Sequence, residues 1–486
     1  MARIQPAAGF QHPKDRRMVS GNVTKNDLME LTIEDISSEG PGIGHASGMA
    51  VFVKDAVVGD RVLAKAVKVK KTYAFARLEK ILSPGKDRVT PRCAQARRCG
   101  GCQIQEMRYE AQLRLKERKV RENLVRIGGL CLEDGVFQPV IGMQDPWHYR
   151  NKAQFPVGED RDGNIIAGFY AGRTHTIIDN HQCEIGIADN RPVLEAVISW
   201  MRRYGVRAYR ETDGSGQIRH VCIRAGFATK DLMVVIVANA SALKEEAELV
   251  RMLSEAVKEY HIRSIILNTN QEKTNVILGR KNRVLYGDDF IEDRIGSLTY
   301  RISAGAFYQI NPVQTDVLYR TALEYAALTG QEVVWDLYCG TGTISLFLAK
   351  RAKRVIGIEV VPEAVENARQ NARINRIDNC EFIAGKAEEL AGSLPGADVI
   401  VVDPPRKGLD RTLIDTILSV APDRIVYVSC DSATLARDLA LFVQGGWQVK
   451  KVQPVDQFCH SVHIETVVCL SRFAQTGIDG CGVYRV

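Results

Sequence analysis

No run in this 486-residue sequence is both long and apolar enough to cross a bilayer, so nothing in it reads as a membrane-spanning helix. The opening stretch, MARIQPAAGFQHPKDRRMVS, lacks the apolar core of a secretory signal. We therefore expect a cytoplasmic protein that opens on a flexible tail over residues 1–21. Proline is scarce, at 16 residues against 40 glycines, and no long-period repeat or low-complexity tract is present. Fibrous, solenoid and disordered classes are thereby excluded. With no export signal, the 12 cysteines are expected to bind metal, to react or to pack rather than to form disulfides. The G-x-G-x-x-G signature of dinucleotide enzymes is absent as well.

Positive charge is present but unevenly spread. Between Arg61 and Arg126 stand 19 Lys or Arg and 6 Asp or Glu, a surplus of 13 in a chain whose net charge is +7. Such a concentration suggests a segment on which a polyanion docks, with phosphate contacts supplying affinity independent of sequence.

The length implies several domains. Short β-rich runs at Ala50 to Val53, Arg61 to Val69 and Thr72 to Leu82, separated by Gly-rich turns, predict a small β-barrel over 22–83. SPGKDRVTP reads as a linker by composition. Residues 84–135 would carry a cysteine segment and a basic helix from about Gln105 to Ile127, stopped by Gly128-Gly129. Strand-like and amphipathic runs alternate over 136–300, predicting a mixed α/β domain. From Asn311 on the alternation becomes regular, the signature of a parallel, doubly wound α/β sheet, and the last domain is expected to span 301–486.

The chemistry gathers in that last region. DLYCGTGTI places Asp336 and glycines 340 and 342 at the end of its first strand, where glycine lets the backbone approach a ligand closely. GIE puts Glu359 at the end of the second strand, suited to accept both ribose hydroxyls. An acid at position 336 would repel a pyrophosphate but attract the cationic amino-acid end of S-adenosylmethionine. DPPRKG then fixes Asp403 at the same sheet edge, its prolines holding the backbone extended.

The stretch IVYVSCDSATLARDL ends a strand on Cys430, again at that edge, and HSVHIE supplies Glu465. A thiol and a carboxylate beside a methyl donor suggest one reaction in particular. The thiolate adds to C6 of a uracil, C5 accepts a methyl group, and a base removes the C5 proton. Cys339, inside the glycine loop, is the rival nucleophile but would sit against the cofactor. CAQARRCGGC supplies Cys93, Cys99 and Cys102, and NHQCEIG offers Cys183. Four thiolates at this spacing suit either zinc or an iron–sulfur cluster.

AGAFYQINPVQ, DLYCGTGTI, GIE, DPPRKG, SCDSATLARDL and HSVHIE, taken in this order, resemble the RNA (uracil-5-)-methyltransferase family. The likeness runs from about residue 22 to 472 and is nearest to the 23S rRNA branch, which carries a TRAM domain and a [4Fe-4S] cluster. The fold it implies is a Rossmann-like S-adenosylmethionine-dependent methyltransferase domain behind a TRAM-like barrel and a central α/β domain. Cys430 would be the nucleophile and Glu465 the proton acceptor. Gln309, Tyr338, Glu359 and Asp403 would line the cofactor and base site beside Asp336 and Gly340, and Cys93, Cys99, Cys102 and Cys183 would hold the cluster. The partner would be 23S rRNA, with no membrane, no protein partner and a monomeric state. The alternatives are a non-catalytic rRNA-binding assembly factor, a tRNA uridine methyltransferase, or an enzyme acting on an exocyclic amine, which needs no thiol. The sequence departs from the family at Asp431-Ser432, often Asn-Pro, and at Phe458-Cys459, often Phe-Pro. Lys386 stands where a polar adenine contact is expected.

Overall fold

A computed structural model describes residues 22–172 and 174–473. The expected tail over 1–21, and Cys481, lie outside these residues. The chain forms two compact units. One comprises the described residues up to Pro91 together with Gln103–Ala111; the other comprises Arg92–Cys102 and everything described from Gln112 on.

The first unit is built on a six-stranded sheet. Its strands run in the order Leu28–Thr32, Arg61–Val69, Tyr73–Ser83, Met49–Val53, Gly42–Ala46, Asp35–Ile36. Alternation sets which face is buried: Met29 and Leu31, then Val62, Ala64 and Ala66, then Ala74 and Ala76 point inward. At Gly44 a Cβ would come 2.7 Å from the Thr32 carbonyl oxygen, so only glycine lets the strands approach this closely.

The stretch that reads as a linker is held fast. The Arg88 side chain is largely shielded and donates to both oxygens of Asp60, which is fully buried, and to Glu106. Asp60 also accepts the N–H groups of Val57 and Gly85. A buried carboxylate needs a cation, and composition alone does not reveal that this arginine is its partner. Arg88→Met is therefore expected to destabilise this unit by about 3–5 kcal/mol, because it strands the Asp60 charge. Urea unfolding checks this; a loss below about 1 kcal/mol would mean that the pair behaves as a surface ion pair.

In the second unit a seven-stranded sheet runs Lys281–Gly287, His261–Thr269, Asp231–Ala238, Ile218–Ala225, Lys152–Glu159, Ile165–Tyr170, Ile177–Asp179. Helices Asn190–Tyr204 and Glu246–Ala256 pack on it. The hairpin Phe290–Ile295 and Leu298–Ser303 then leads through residues 304–311 into helix Pro312–Ala326.

The last sheet runs Cys380–Ala384, Arg354–Glu359, Val333–Leu337, Val399–Val402, Arg424–Ser429, Glu465–Arg472, Trp447–Val455. Its first five strands are parallel. Side chains alternate between two apolar clusters, Val399 and Val401 against Ile400 and Val402, so both faces are buried as a doubly wound sheet requires.

The sheet is not wholly parallel, as the sequence pattern had suggested. After Trp447–Val455 the chain turns through 456–464 and inserts Glu465–Arg472 antiparallel beside Arg424–Ser429. The basic helix spans Tyr109–Arg126 and ends as expected, but starts later than its charge pattern suggests, because residues 106 and 107 are engaged with Val89 and Arg88. Among the described residues no helix is long and apolar enough to cross a membrane.

Candidate active site

The glycine loop follows strand Val333–Leu337 and turns sharply. Tyr338, Gly340 and Gly342 have φ of 69°, 56° and 78°. At Gly342 a Cβ would lie 3.0 Å from both Ala368 and the Phe382 ring, so position and backbone together call for glycine. The Gly340 N–H donates to one Glu359 oxygen at 3.1 Å, and the Val361 N–H to the other at 2.8 Å. The acid that ends the second strand and the loop that ends the first are thus one construction.

Asp336 is fully buried. One oxygen accepts the Ser345 hydroxyl at 2.5 Å; the other is buried with no hydrogen-bond partner among the described residues. Burial pushes its carboxyl up to about 7, opposed by Ser345 and reinforced by Glu359. Asp403, just past strand Val399–Val402, is also pushed up to about 7, by burial and then by Asp336.

Topology brings together the two residues expected to serve as nucleophile and base. Antiparallel insertion puts the start of Glu465–Arg472 beside the end of Arg424–Ser429, with Ser429 opposite Thr466. One step beyond that pair stand Cys430 and Glu465. Glu465 is buried, and one of its oxygens has no hydrogen-bond partner among the described residues. Burial, then the Asp403 charge, raise its carboxyl well above the ordinary range, with Arg406 opposing. Cys430 is half-buried, and its thiol is pushed up to about 11 by burial, Glu465 and Asp403, again against Arg406.

Asp431 explains its own departure from the family. Its side chain caps helix Ser432–Gln444, accepting the N–H groups of Ala433 and Thr434 at 2.9 and 3.2 Å, a role that asparagine or aspartate fills equally. Cys339 is buried beneath the loop, where a Cβ on Gly357 would come 2.9 Å from its sulfur, and burial raises its thiol strongly.

The remaining expected residues are placed as follows. Gln309 is buried in the 304–311 loop, anchored by its carbonyl to the Asn151 side chain at 2.8 Å. The same loop reaches the glycine turn, with the Phe307 carbonyl 3.5 Å from the Thr341 hydroxyl. The Tyr338 hydroxyl donates to Glu388 at 2.8 Å. Lys386 is exposed and pairs with Glu389. Arg406 was missed as a site residue although DPPRKG displays it; it is exposed and acts electrostatically on Cys430, Glu465 and His463.

Among the cysteines, Cys183 is pushed up to about 11 by burial and by the neighbouring thiols of Cys99 and Cys93, while N–H groups of Ile185 and Gly186 face its sulfur and oppose the shift. The Gly101 N–H lies 3.4 Å from the Cys99 sulfur. Cys102 lies within electrostatic reach of the Tyr149 hydroxyl. Among the described residues no three His, Cys, Asp or Glu side chains are close enough to hold a single metal ion.

A Gly-rich turn, a strand-end acid and a mostly parallel sheet closed by an antiparallel pair define the S-adenosylmethionine-dependent methyltransferase fold. Residues 108–473 match the tRNA (Uracil-5-)-methyltransferase family, and residues 23–78 match the TRAM domain. The chain belongs to that family. It is 48% identical over 452 residues to an uncharacterized RNA methyltransferase of Halalkalibacterium halodurans, covering 92% of this chain and 98% of that one. A Clostridium acetobutylicum protein of the same description is 45% identical, over 93% and 98% of the two chains. Among solved structures, the tRNA (uracil-54, C5)-methyltransferase of Pyrococcus abyssi in complex with S-adenosyl-L-homocysteine aligns with TM-score 0.75 and 26% identity, covering 91% of this chain and 100% of that one.

Proposed function

We propose that this chain methylates C5 of a uridine in 23S rRNA through a covalent bond between Cys430 and C6. The observation that supports this reading is that Cys430 and Glu465 each stand one residue beyond the Ser429–Thr466 pair, at adjacent antiparallel strand ends. S-adenosylmethionine supplies an electrophilic methyl group. The residues present fit it: Asp336 has a buried oxygen with no hydrogen-bond partner among the described residues, and three neighbouring acids favour a cationic ligand. Glu359 would take the ribose, Gly340 the close backbone contact, and Gln309, Tyr338 and Asp403 the walls between cofactor and base.

Cys430 attacks C6, and the C5–C6 electron pair becomes available at C5, which takes the methyl group. Glu465 then accepts the C5 proton. The electrons of the C5–H bond restore the double bond and expel the Cys430 thiolate. Arg406 and the N-terminus of helix Ser432–Gln444 favour that thiolate, against the neighbouring acids.

Asp336 and Asp403 give a pH signature. Their folded values of about 7 lie above an unfolded value of about 3.9, so the folded protein holds protons that the unfolded chain has released. Their contribution to stability is greatest below the unfolded value and is lost as pH rises toward 7. A cationic ligand needs them ionised. S-adenosylmethionine affinity is therefore expected to rise from pH 6 to pH 8, with protons released on binding near pH 6. Calorimetry in two buffers reads both, and a flat affinity would count against the assignment.

Cys93, Cys99, Cys102 and Cys183 would hold a [4Fe-4S] cluster. Their chemistry fits: N–H groups face two of the sulfurs, and a four-iron cube spaces its thiolates more widely than a single ion does. The proposed methyl transfer needs no electron, so the role would be structural, in a cytoplasmic, monomeric enzyme. Anaerobic purification should give brown protein with about four irons per chain, lost in Cys183→Ser. Stoichiometric zinc instead would overturn the cluster.

The likeness to the Pyrococcus abyssi enzyme keeps a tRNA uridine as the second reading. Mass mapping of 5-methyluridine in 23S rRNA and tRNA, from cells with and without the gene, separates the two. Loss in a 23S fragment is expected; loss in tRNA alone would overturn the rRNA target.

A further inference from the structure

One stripe of the basic helix is bonded to the protein's own chain. Gln112, Lys116, Lys119 and Asn123 recur at helical spacing and so share a face. Each bonds to a segment adjoining one of the two proposed reacting residues. Gln112 is fully buried and holds His460 from two sides: its oxygen accepts the His460 N–H at 3.0 Å, and its amide nitrogen lies 3.1 Å from Nδ1. Lys116, also buried, donates to Asp456 at 2.5 Å and to the Phe458 carbonyl at 3.0 Å. Lys119 donates to the Val462 carbonyl at 3.0 Å. The contacts of these three residues fall within 456–462, shortly before Glu465.

Asn123 engages the start of helix Ser432–Gln444, just past Cys430. Its amide donates to the Ser432 hydroxyl at 2.8 Å, two residues past Cys430. Just beyond the helix, a Cβ at Gly128 would come 2.9 Å from the Ala436 carbonyl, so the helix end lies directly on the helix that follows the nucleophile. The base-bearing loop is supported from its other side as well. Trp147 stacks on His460 with ring centroids 3.9 Å apart, and the Tyr149 hydroxyl donates to the Cys459 carbonyl at 3.0 Å. Arg92, next to Cys93, lies over Trp147 and pairs with Glu184, next to Cys183.

We infer that this helix is a positioning element for catalysis, with Asn123 setting the nucleophile loop and Gln112 setting the base loop. It holds Cys430 and Glu465 at a fixed separation, and the cysteine segment before it supports the same loop through Trp147. The inference rests on the covalent reading above and assigns the two ends of the helix to different steps.

The test separates those steps. An RNA carrying 5-fluorouridine is attacked and methylated but cannot lose fluorine as a proton, so adduct formation on it needs Cys430 and not the base. Asn123→Ala should slow that adduct formation roughly 10- to 100-fold, the cost of a small misplacement of a reacting atom. Asn123→Asp, whose carboxylate can accept from the Ser432 hydroxyl, should restore most of the rate. Gln112→Ala should form the fluorinated adduct at nearly the wild-type rate, yet accumulate adduct on ordinary uridine RNA because release is slowed. If Gln112→Ala lowers the melting temperature, Trp147→Leu provides the same test from the opposite side of His460.

The split between early and late steps supports the assignment. Equal slowing of both steps in both variants would make the helix a general scaffold and overturn it, and so would no effect on either step. Absence of any adduct in the wild type would instead remove the covalent reading, a result distinct from either.

Discussion

Cys430→Ala is expected to abolish turnover, by a factor on the order of 10⁴ or more, while leaving S-adenosylmethionine affinity close to that of the wild type. The thiol is half-buried at the end of strand Arg424–Ser429, so its removal leaves no large cavity. Its environment is the reason for the size of the loss. On the proposed mechanism this sulfur forms the bond to C6, and the neighbouring thiol does not stand in for it. Cys339 is buried beneath the glycine loop with its thiol pushed far up by burial, and helix Ser432–Gln444 keeps its cap from Asp431 whether or not Cys430 is present. Activity above about 1% of wild type in single-turnover assays would move the nucleophile elsewhere.

Glu465→Gln should give the opposite phenotype, a protein that reacts once and does not let go. In the proposed mechanism, attack by Cys430 and methyl transfer do not use the base, but removal of the C5 proton does. Replacing a positioned general base slows its step by about 10²–10⁴. Because the Glu465 carboxylate raises the Cys430 thiol, a neutral glutamine also makes the thiolate easier to form, so attack should be no slower than in the wild type. A covalent protein–RNA complex should therefore build up on unmodified uridine RNA, visible as a denaturant-resistant band carrying the transferred methyl group. Turnover of this variant at the wild-type rate would point to another base. His463, half-buried against Phe458, would be the first candidate.

The residues that end strands were legible in the sequence because each closes an apolar run at a turn: Asp336, Glu359, Asp403 and Cys430 all stand there. The regular alternation after residue 311 likewise announced the doubly wound sheet. The antiparallel return was not announced, since HIETVV has no periodicity that says which neighbour it pairs with. Insertion beside Arg424–Ser429 is what sets Glu465 opposite Cys430. The positive surplus between Arg61 and Arg126 suggested a docking face, yet two of its members are internal. Arg88 neutralises Asp60, and Lys116 pairs with Asp456 across 340 residues of sequence. Charge counted along a chain cannot distinguish a cation facing solvent from one committed to a buried acid far away in sequence.

Mass spectrometry reads out the proposed bond between Cys430 and the target base. Wild-type protein is incubated with S-adenosylmethionine and an RNA containing 5-fluorouridine, then digested with protease and nuclease. A peptide containing Cys430 that carries a methylated fluorouridine nucleotide is expected, and it should be absent from Cys430→Ala. A preparation that methylates ordinary RNA but yields no such peptide, or yields the adduct on a different residue, would contradict the proposed bond.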